Sequence, residues 1–371
     1  MKARKKSKWE SLKEFYQLYT SGLNRSEVER LLKRDTVDVF SYYKRGIRST
    51  KKVIAQDKFP KKQLQVAKDI FLSFLMKLTP ARRFFYGIAF VLFILALGVS
   101  NWSYALFVFL ILNFLLALEL ADKLVAKDEL EIARDIQISL QPEKMPHIKG
   151  LDISTYYQPA KEVGGDYYDL IKIDDHKLVV IVGDVSGKGM PAALYAVKLQ
   201  GLVELLAKNR NSPKQILEEI NEIITHRLKK QFFITAVVAI FDLKEKTLRL
   251  ARAGHNPPMY FKSLTNQAVW LNPKGIGIGL EKNPNFKSKL NEKVVSVTPG
   301  DLFVFYTDGV TEVMNGAKVE FGEIRLGKFV IENAHLDVEL FKEKLVEKLK
   351  GFAQKALLDD DATVVVVKVR N

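Results

Sequence analysis

Two long apolar runs interrupt an otherwise mixed sequence. The first, FFYGIAFVLFILALGV, covers residues 84–99, and the second, ALFVFLILNFLLALELA, covers residues 105–121. Each approaches the roughly 20 residues that cross a hydrocarbon core about 30 Å thick. Trp102 and Tyr104 stand at the polar break, where interfacial aromatic side chains are favoured. The pattern predicts a transmembrane helical hairpin over residues 84–121, with a pair of buried core helices as the alternative.

After residue 146 the apolar positions alternate or form short runs, as in a mixed domain. The pattern predicts strands at residues 151–157, 177–182, 234–241, 247–251, 294–297, 302–306 and 363–369, and helices at residues 191–208, 213–229 and 338–355. Connections such as that from Phe241 to Thr247 are too short for a crossover helix, so neighbouring strands should run antiparallel. We therefore predict an α+β layered domain over residues 146–371.

Between the hairpin and this domain, residues 122–145 are expected to form a linker that is helical as far as residue 140. No glycine or proline occurs in it before Pro142. Apolar residues at spacings of three and four form a stripe on one face, namely Leu130, Ala133, Ile136 and Leu140. Fewer than three heptads are present, so the stripe could pair with a second copy to give a homodimer or pack on its own domain.

The positive charge of the chain belongs to its N-terminal part. The net charge is +15, and residues 1–83 hold 22 Lys or Arg against 8 Asp or Glu. The rest has no uniformly basic face, which excludes a nucleic acid as partner. Residues 1–83 are expected to be mostly helical, either resting on anionic lipid or forming a small helical domain. Basic residues on both flanks of the hairpin predict a multi-pass inner or plasma membrane protein with both ends in the cytoplasm.

The sequence contains no cysteine. Disulfide frameworks, thiolate metal sites and enzymes with a cysteine nucleophile are therefore excluded. Any chemistry has to use oxygen or nitrogen ligands.

Acidic residues flank several of the predicted strands. They are Asp166 in VGGDYYD, Asp184 in VGDVSGKGM, Asp308 in FYTDGVTE and Asp360 in LDDDATVVVV. A lone Asp-Gly is usually a turn, but carboxylates gathered from distant positions repel one another unless cations lie between them. Aspartates with backbone carbonyls and water are the ligands that Mg²⁺ or Mn²⁺ prefers. The sequence therefore predicts a divalent metal site.

The glycine-rich segment after Asp184 is not a P-loop. Three residues rather than four separate Gly183 from Gly187, and Gly189 rather than Ser or Thr follows Lys188. What remains is a strand, an aspartate and a turn that opens a helix near residue 190. Such a turn lets backbone groups approach a metal or a phosphate closely.

GGDYYD, GDVSGKGMPAAL, AGHNPP and DDATVVVV, in this order and spacing, resemble the SpoIIE-type branch of the PPM (type-2C) metal-dependent serine/threonine phosphatases. The similarity covers residues 136–369. It implies a layered sandwich of two antiparallel β-sheets flanked by α-helices, with two Mn²⁺ or Mg²⁺ ions at one end. It also implies a phosphorylated STAS-type anti-sigma factor antagonist as the substrate.

The resemblance also implies roles for individual residues. Asp184 would bridge the two metals with the Val185 carbonyl beside it, Asp166 would bind the second metal, and Asp308 and Asp360 would hold the first. These aspartates would act in catalysis through metal-activated water. Residues expected to support the site or its loops are Gly164, Gly165, Asp169, Gly187, Lys188, Thr235, His255, Gly309 and Asp361. Lys188 could attract phosphate or simply be solvated, and His255 is expected to order a turn.

Two other functions compete with the phosphatase. An inactive domain that only docks a partner would have no reason to keep mutually repelling carboxylates. A nucleotide cyclase would need a nucleotide pocket, for which the sequence has no motif. A phosphatase that uses metal-activated water requires neither cysteine nor a covalent phosphoenzyme.

Overall fold

The structure is a computed structural model that describes residues 71–72, 74–76, 78–99, 102–142, 145–210, 212–353 and 360–370. The chain divides into two compact units, residues 1–123 and residues 124–371. The helical prediction for residues 1–83 lies almost entirely outside the described residues.

The first unit contains two apolar helices that pair through a charged contact. Helix α1 is Pro80–Val99, and helix α2 begins at Trp102 and ends at Ser139. The guanidinium of Arg82 lies 2.9 Å from the Glu119 carboxylate and 2.7 Å from that of Asp122. Arg82 is near the start of α1, and Glu119 and Asp122 follow the apolar part of α2. The contact therefore brings the start of α1 beside the end of the apolar part of α2, as in an antiparallel hairpin.

The second unit is a sandwich of two five-stranded antiparallel sheets. The first sheet has the strand order β1-β10-β9-β6-β7 and the second has the order β2-β3-β4-β5-β8. The strands are β1 Leu151–Gln158, β2 Asp166–Lys172, β3 Lys177–Val185, β4 Ile234–Asp242, β5 Thr247–Ala253, β6 Met259–Lys262, β7 Gln267–Trp270, β8 Glu292–Ser296, β9 Leu302–Tyr306 and β10 Ala362–Val369. The predicted α+β sandwich is confirmed.

Helices cover both outer faces of the sandwich. Those of the second unit are α3 Met190–Asn209, α4 Pro213–Thr225, α5 Asn285–Lys289, α6 Asp308–Thr311, α7 Gly322–Asn333 and α8 Val338–Ala353. Helices α3 and α4 pack on the second sheet through residues such as Leu199 and Ile220, and α7 and α8 pack on the first through Phe329 and Phe341. The sequence patterns did not predict strand β2 or the short strands β6 and β7.

The alternation of side chains along each strand separates the buried layers. On β3, Leu178, Val180 and Val182 face the core between the sheets, while Val179 and Ile181 face the helices. Phe303 and Phe305 of β9 meet the same inner core from the other sheet. Both faces of these strands are buried, which explains their continuous apolar runs.

Three helices in the described part of the chain are long and apolar enough to cross a membrane: α1, α2 and α3. Helix α3 is part of the sandwich, where its Ala192, Leu199 and Val203 are fully buried. In the apolar windows of α1 and α2, in contrast, hardly any residue is buried. These two helices therefore present the surface expected of membrane-facing segments.

The C-terminal turns of α2 pack on the sandwich. Leu130, Ala133 and Leu140 are half-buried and Gln137 is buried, whereas Ile136 stays exposed. The Gln137 side-chain amide donates to the Gly164 carbonyl over 2.8 Å and its oxygen accepts from the Gly164 N–H over 3.1 Å. The stripe on the linker thus serves, at least in part, to fix the helix on its own domain.

Candidate functional site: an acidic cluster at one end of the sandwich

The same alternation that builds the inner core carries acidic residues to one end of it. Strand β2 begins at Asp166 and β3 ends just after Asp184, and the two residues lie opposite each other in antiparallel register. Strand β9 ends just before Asp308, and β10 begins just after Asp361. Antiparallel pairing brings the end of each strand beside the start of its partner within one sheet. Hydrogen bonds from Thr307 and Thr363 to Asp166 join the two sheets at this end of the sandwich.

Asp166 is the most deeply buried of these carboxylates, with 3% of its surface exposed. Its Oδ2 accepts hydrogen bonds from the Thr307 hydroxyl over 2.7 Å and the Thr363 hydroxyl over 2.5 Å. Burial, followed by the charge of Asp184, raises the pKa of Asp166 well above its usual value. The two hydroxyls oppose that rise because they stabilise the ionised form.

Asp184 is the electrostatic centre of the cluster. Burial raises the pKa of its carboxyl to about 7, and the charges of Asp308, Asp360 and Asp361 add to the effect. The pKa of Asp308 is likewise raised, by burial and then by Asp360. These shifts show that carboxylates from distant parts of the sequence lie close enough to oppose one another's ionisation.

Lys188 is the cation of the cluster. Its ammonium lies 2.7 Å from the Asp360 carboxylate, and both side chains are partly exposed, at 46% and 34%. Its positive charge lowers the pKa of Asp184 and of Asp308, against the larger effects that raise them. The Lys188 ammonium therefore lies beside the acidic cluster, with its side chain partly open to solvent.

Gly164 and Gly165 allow the backbone to approach the carboxylates, and Gly309 allows it to approach the backbone carbonyl of Asp361. A Cβ at Gly165 would lie 2.8 Å from the Val185 carbonyl and 3.2 Å from Asp184 Oδ1, and one at Gly164 would lie 2.7 Å from Asp361 Oδ2. Asp361 itself accepts from the Gly165 N–H over 2.6 Å and the Ala160 N–H over 2.7 Å. Asp361 thus holds the glycine loop that leads into Asp166.

Half-buried Thr235 and buried His255 lie next to Asp184. Thr235 lies opposite Asp184 in the pairing of β3 with β4, and its hydroxyl lies 2.9 Å from His255 Nδ1. Only 3% of His255 is exposed, and burial lowers the pKa of the imidazole to about 3. A neutral, buried histidine fits the predicted structural role.

Two predicted supporting residues lie apart from the acidic cluster. Asp169 accepts hydrogen bonds from the Tyr167 hydroxyl and the Leu170 N–H, on the face of β2 toward Glu204 and Lys208. Gly187 lies at the turn before α3, with a φ of 96° and with the Phe232 ring where a Cβ would point. Both residues shape elements that carry the site.

Sequence reasoning missed several polar residues of this edge. Thr307 and Thr363 donate hydrogen bonds to Asp166. Alternation along β9 and β10 could have assigned them to the inner face with Phe305 and Val365, but not to Asp166 as a partner. Glu312 has its pKa raised by burial and by Asp308. The Tyr157 hydroxyl is buried without a hydrogen-bond partner, and burial and Asp361 raise its pKa. Local sequence patterns gave no signal for Tyr157.

The donor set fits small divalent cations. Among the described residues, no three acidic or histidine side chains converge on one point as they stand. Mg²⁺ commonly takes only one or two carboxylates and keeps several waters. Asp184 beside the Val185 carbonyl, and Asp308 near Asp360, are donor pairs of that kind. The pKa values of Asp184 and Asp308 are raised by burial and by their acidic neighbours, and a bound cation would relieve that repulsion.

Comparison with known proteins agrees with this description. The sequence profile of the family described as Stage II sporulation protein E (SpoIIE) matches residues 174–370. The chain is 29% identical over 245 residues to phosphoserine phosphatase RsbU of Bacillus subtilis, which covers 65% of this chain and 70% of that protein. The family match leaves residues 1–173 outside it.

Solved structures share the fold of the second unit. The SiaA-PP2C domain of Pseudomonas aeruginosa superposes with a TM-score of 0.58 at 21% identity, covering 67% of this chain and 98% of that domain. The PP2C phosphatase domain of SpoIIE from Bacillus subtilis, solved with a fragment of its regulatory domain, gives a TM-score of 0.51 at 19% identity. That match covers 59% of this chain and 63% of the SpoIIE chain. At these identities the likeness establishes the PP2C fold.

Proposed function

The chain belongs to the SpoIIE family of PP2C-type phosphatase domains, and on that premise we propose that it hydrolyses phosphoserine or phosphothreonine on a regulatory protein. The activity is assigned to residues 146–371. The named relative RsbU is a phosphoserine phosphatase, which supports this substrate chemistry.

The acidic cluster is the observation that carries the proposal. Asp184, with a pKa raised to about 7 by burial and by three neighbouring carboxylates, marks a point where negative charge is concentrated at a loop-lined edge. Two Mn²⁺ or Mg²⁺ ions bound there would supply a water of lowered pKa and would neutralise charge on the phosphoryl oxygens.

Several contacts in the fold support the proposed set of metal ligands. Asp184 and the Val185 carbonyl would lie between the ions, Asp308 and Asp360 would hold one, and Asp166 the other. The Thr307 and Thr363 hydroxyls both donate to one oxygen of the Asp166 carboxylate and orient it. Its other oxygen is then the one that would bind the metal. The Asp361 carboxylate anchors the glycine loop so that backbone, not side chain, lies against Asp184.

The proposed substrate is a phosphorylated anti-sigma factor antagonist of the STAS type. This assignment follows from the family resemblance and from the similarity to RsbU. The proposed location is the inner or plasma membrane, with α1 and the first part of α2 as spans and both termini in the cytoplasm. Exposed Ile132 and Ile136 on α2 support a homodimer through the linker.

The test uses the full chain in detergent, with Mn²⁺ and a phosphoserine protein of the STAS type as substrate. Asp184→Asn and Asp308→Asn should each lower turnover by about two orders of magnitude or more, because each removes a charge that binds the metal. Asp174→Asn, in the exposed β2–β3 turn, is the matched control and should keep full turnover. Unchanged turnover in both cluster variants would remove the proposal.

An inactive docking domain stays as the second candidate because no three carboxylates converge among the described residues. It predicts that the wild-type chain does not bind Mn²⁺. Calorimetric titration of the full chain with Mn²⁺ separates the two functions, since the phosphatase requires saturable binding that Asp184→Asn weakens.

A further inference from the structure

The ion pair between Lys188 and Asp360 occupies a carboxylate that the proposed metal would need. The ammonium lies 2.7 Å from Asp360 Oδ2. Its charge also acts on Asp184, Asp308 and Glu312, whose pKa values it lowers against the effects of their acidic neighbours. Lys188 therefore compensates the same negative charge that a divalent cation would compensate.

The position of Lys188 in the chain favours its movement. Gly187 and Gly189 flank Lys188 with φ values of 96° and 77°, a backbone conformation that residues other than glycine rarely adopt. A Cβ at Gly189 would meet no atom within 4 Å, so the turn before α3 is loosely packed on that side. The pair is also partly exposed, and such pairs contribute little to stability. The ammonium can therefore leave Asp360 at small cost.

We propose that the Lys188 ammonium and a divalent cation compete for the Asp360 carboxylate, so that Lys188 sets the metal concentration at which the site fills. The inference rests on the proposed metal-dependent function. It assigns Lys188 a positioning role that acts through Asp360. A chain with Lys188 fills its site only above a threshold of free metal, and a chain without it fills at lower concentrations.

Opposite effects on metal-free and metal-bound protein follow from this competition. Without metal, Lys188 relieves repulsion among the carboxylates, so its loss should lower the melting temperature of the protein in EDTA. With metal, a unit positive charge a few ångströms away repels the ion. Its loss should therefore tighten binding. A residue that only shapes the turn before α3 would not produce opposite signs in the two states.

The experiment titrates the full chain in detergent with Mn²⁺ at pH 8, following free Mn²⁺ by electron paramagnetic resonance. Lys188→Met and the milder Lys188→Gln should bind Mn²⁺ about tenfold more tightly than wild type. Lys188→Arg keeps the competing charge and should bind within about twofold of wild type. Lys161→Met removes an exposed lysine from the β1–β2 loop and controls for net charge. In an Asp360→Asn background, Lys188→Met should tighten binding less than it does in the wild-type background, because the ammonium then acts only through its charge and no longer competes for that carboxylate.

The outcomes separate the inference from the proposed function. Equal or weaker Mn²⁺ binding by both neutral variants overturns the competition, while binding by wild type leaves the phosphatase proposal intact. Tightening by Lys161→Met as large as that by Lys188→Met also overturns it, because the effect would then be one of net charge. Failure of every variant to bind Mn²⁺ removes the metal-based function and the inference together. Tighter Mn²⁺ binding confined to the neutral Lys188 variants supports the proposed competition between Lys188 and the metal.

Discussion

The imidazole of His255 is kept neutral by burial, and this makes the stability of the domain sensitive to acid. Its pKa is lowered to about 3 in the folded protein, against an ordinary value of 6.5. Below pH 6.5 the unfolded chain binds the proton first, so protonation favours unfolding. The stability is fully present above pH 6.5 and is lost as the pH falls toward 3. At pH 5 the loss from this one group is about 2 kcal/mol.

His255→Asn should flatten this dependence because asparagine keeps a polar partner for Thr235 and does not titrate. The melting temperature of the full chain in detergent, measured between pH 7 and pH 5, should fall less steeply for the variant than for wild type. His335→Asn, which alters an exposed histidine, should show the wild-type slope. Equal slopes for all three proteins would mean that His255 does not titrate as a buried group.

Gly165 and Gly201 form a matched pair that separates crowding at the site from backbone effects. A Cβ at Gly165 would lie 2.8 Å from the Val185 carbonyl, whereas one at Gly201, inside helix α3, would meet no atom within 4 Å. Gly165→Ala should therefore displace Asp184 or Val185 and lower phosphatase turnover by about tenfold or more. Gly201→Ala should keep turnover and stabilise the helix by about 0.5–1 kcal/mol. Turnover assays and melting curves on both variants check this.

The last turns of α2 are joined to the acidic cluster by a short chain of hydrogen bonds. Gln137 binds both backbone groups of Gly164, and the next residue, Gly165, donates to Asp361. The backbone carbonyl of Leu140 also accepts from the Gln200 side chain of α3. Movement of this helix would therefore disturb the loop that leads into Asp166, and the linker could in this way change the activity of the site.

Gln137→Leu should uncouple the helix from the loop. The change leaves the buried N–H and C=O of Gly164 without partners, which costs about 1–3 kcal/mol per group. We expect a lower melting temperature and lower turnover. Ala133→Pro should lower both as well, because proline breaks the helix. Ile136→Ala alters an exposed neighbour and is the control for turnover. Full turnover in Gln137→Leu with a lowered melting temperature would limit Gln137 to a structural role.

Elements with strong periodicity were predictable from sequence, and elements defined by partners were not. Strands β3, β4 and β10 have continuous apolar runs because both faces are buried, and their predicted cores are confirmed. Strand β2 begins with DYYD, and the two charged residues interrupt the apolar pattern that would have predicted a strand. Its place in the sheet depends on pairing with β3. Strands β6 and β7 have four residues each, too few to show a period of two.

The candidate site shows the same division. Three of the four aspartates, Asp166, Asp184 and Asp308, were found because each is next to a glycine at the end of an apolar run or strand. Thr307, Thr363 and Gln137 were missed because their roles depend on contacts across 141, 197 and 27 residues of sequence. Asp169 was expected near the site from its motif, but alternation along β2 turns it to the other face. Long-range pairing, which local patterns do not encode, fixes these positions.

The chain as a whole joins a strongly basic N-terminal part and an apolar hairpin to a phosphatase domain with little net charge. Residues 1–83 hold 22 Lys or Arg against 8 Asp or Glu. Such an excess retains a segment on the cytoplasmic side and draws it toward anionic lipid. The Arg82 contacts with Glu119 and Asp122 neutralise charge where both helices reach the same side. The proposed topology therefore places Ser103 outside and Asp135 inside.

The absence of cysteine from the sequence makes this topology directly measurable. Ser103→Cys and Asp135→Cys each provide a single thiol, one between the apolar runs and one on the linker helix. A membrane-impermeant maleimide added to intact cells should label Ser103→Cys, whereas Asp135→Cys should react only after permeabilisation. Lys161→Cys, in the phosphatase domain, should behave as Asp135→Cys does. Labelling of Asp135→Cys in intact cells would show that the orientation is the inverse of the proposed one. Protection of all three thiols until permeabilisation would show that α1 and α2 do not cross the membrane, because two spans must expose the residues between them.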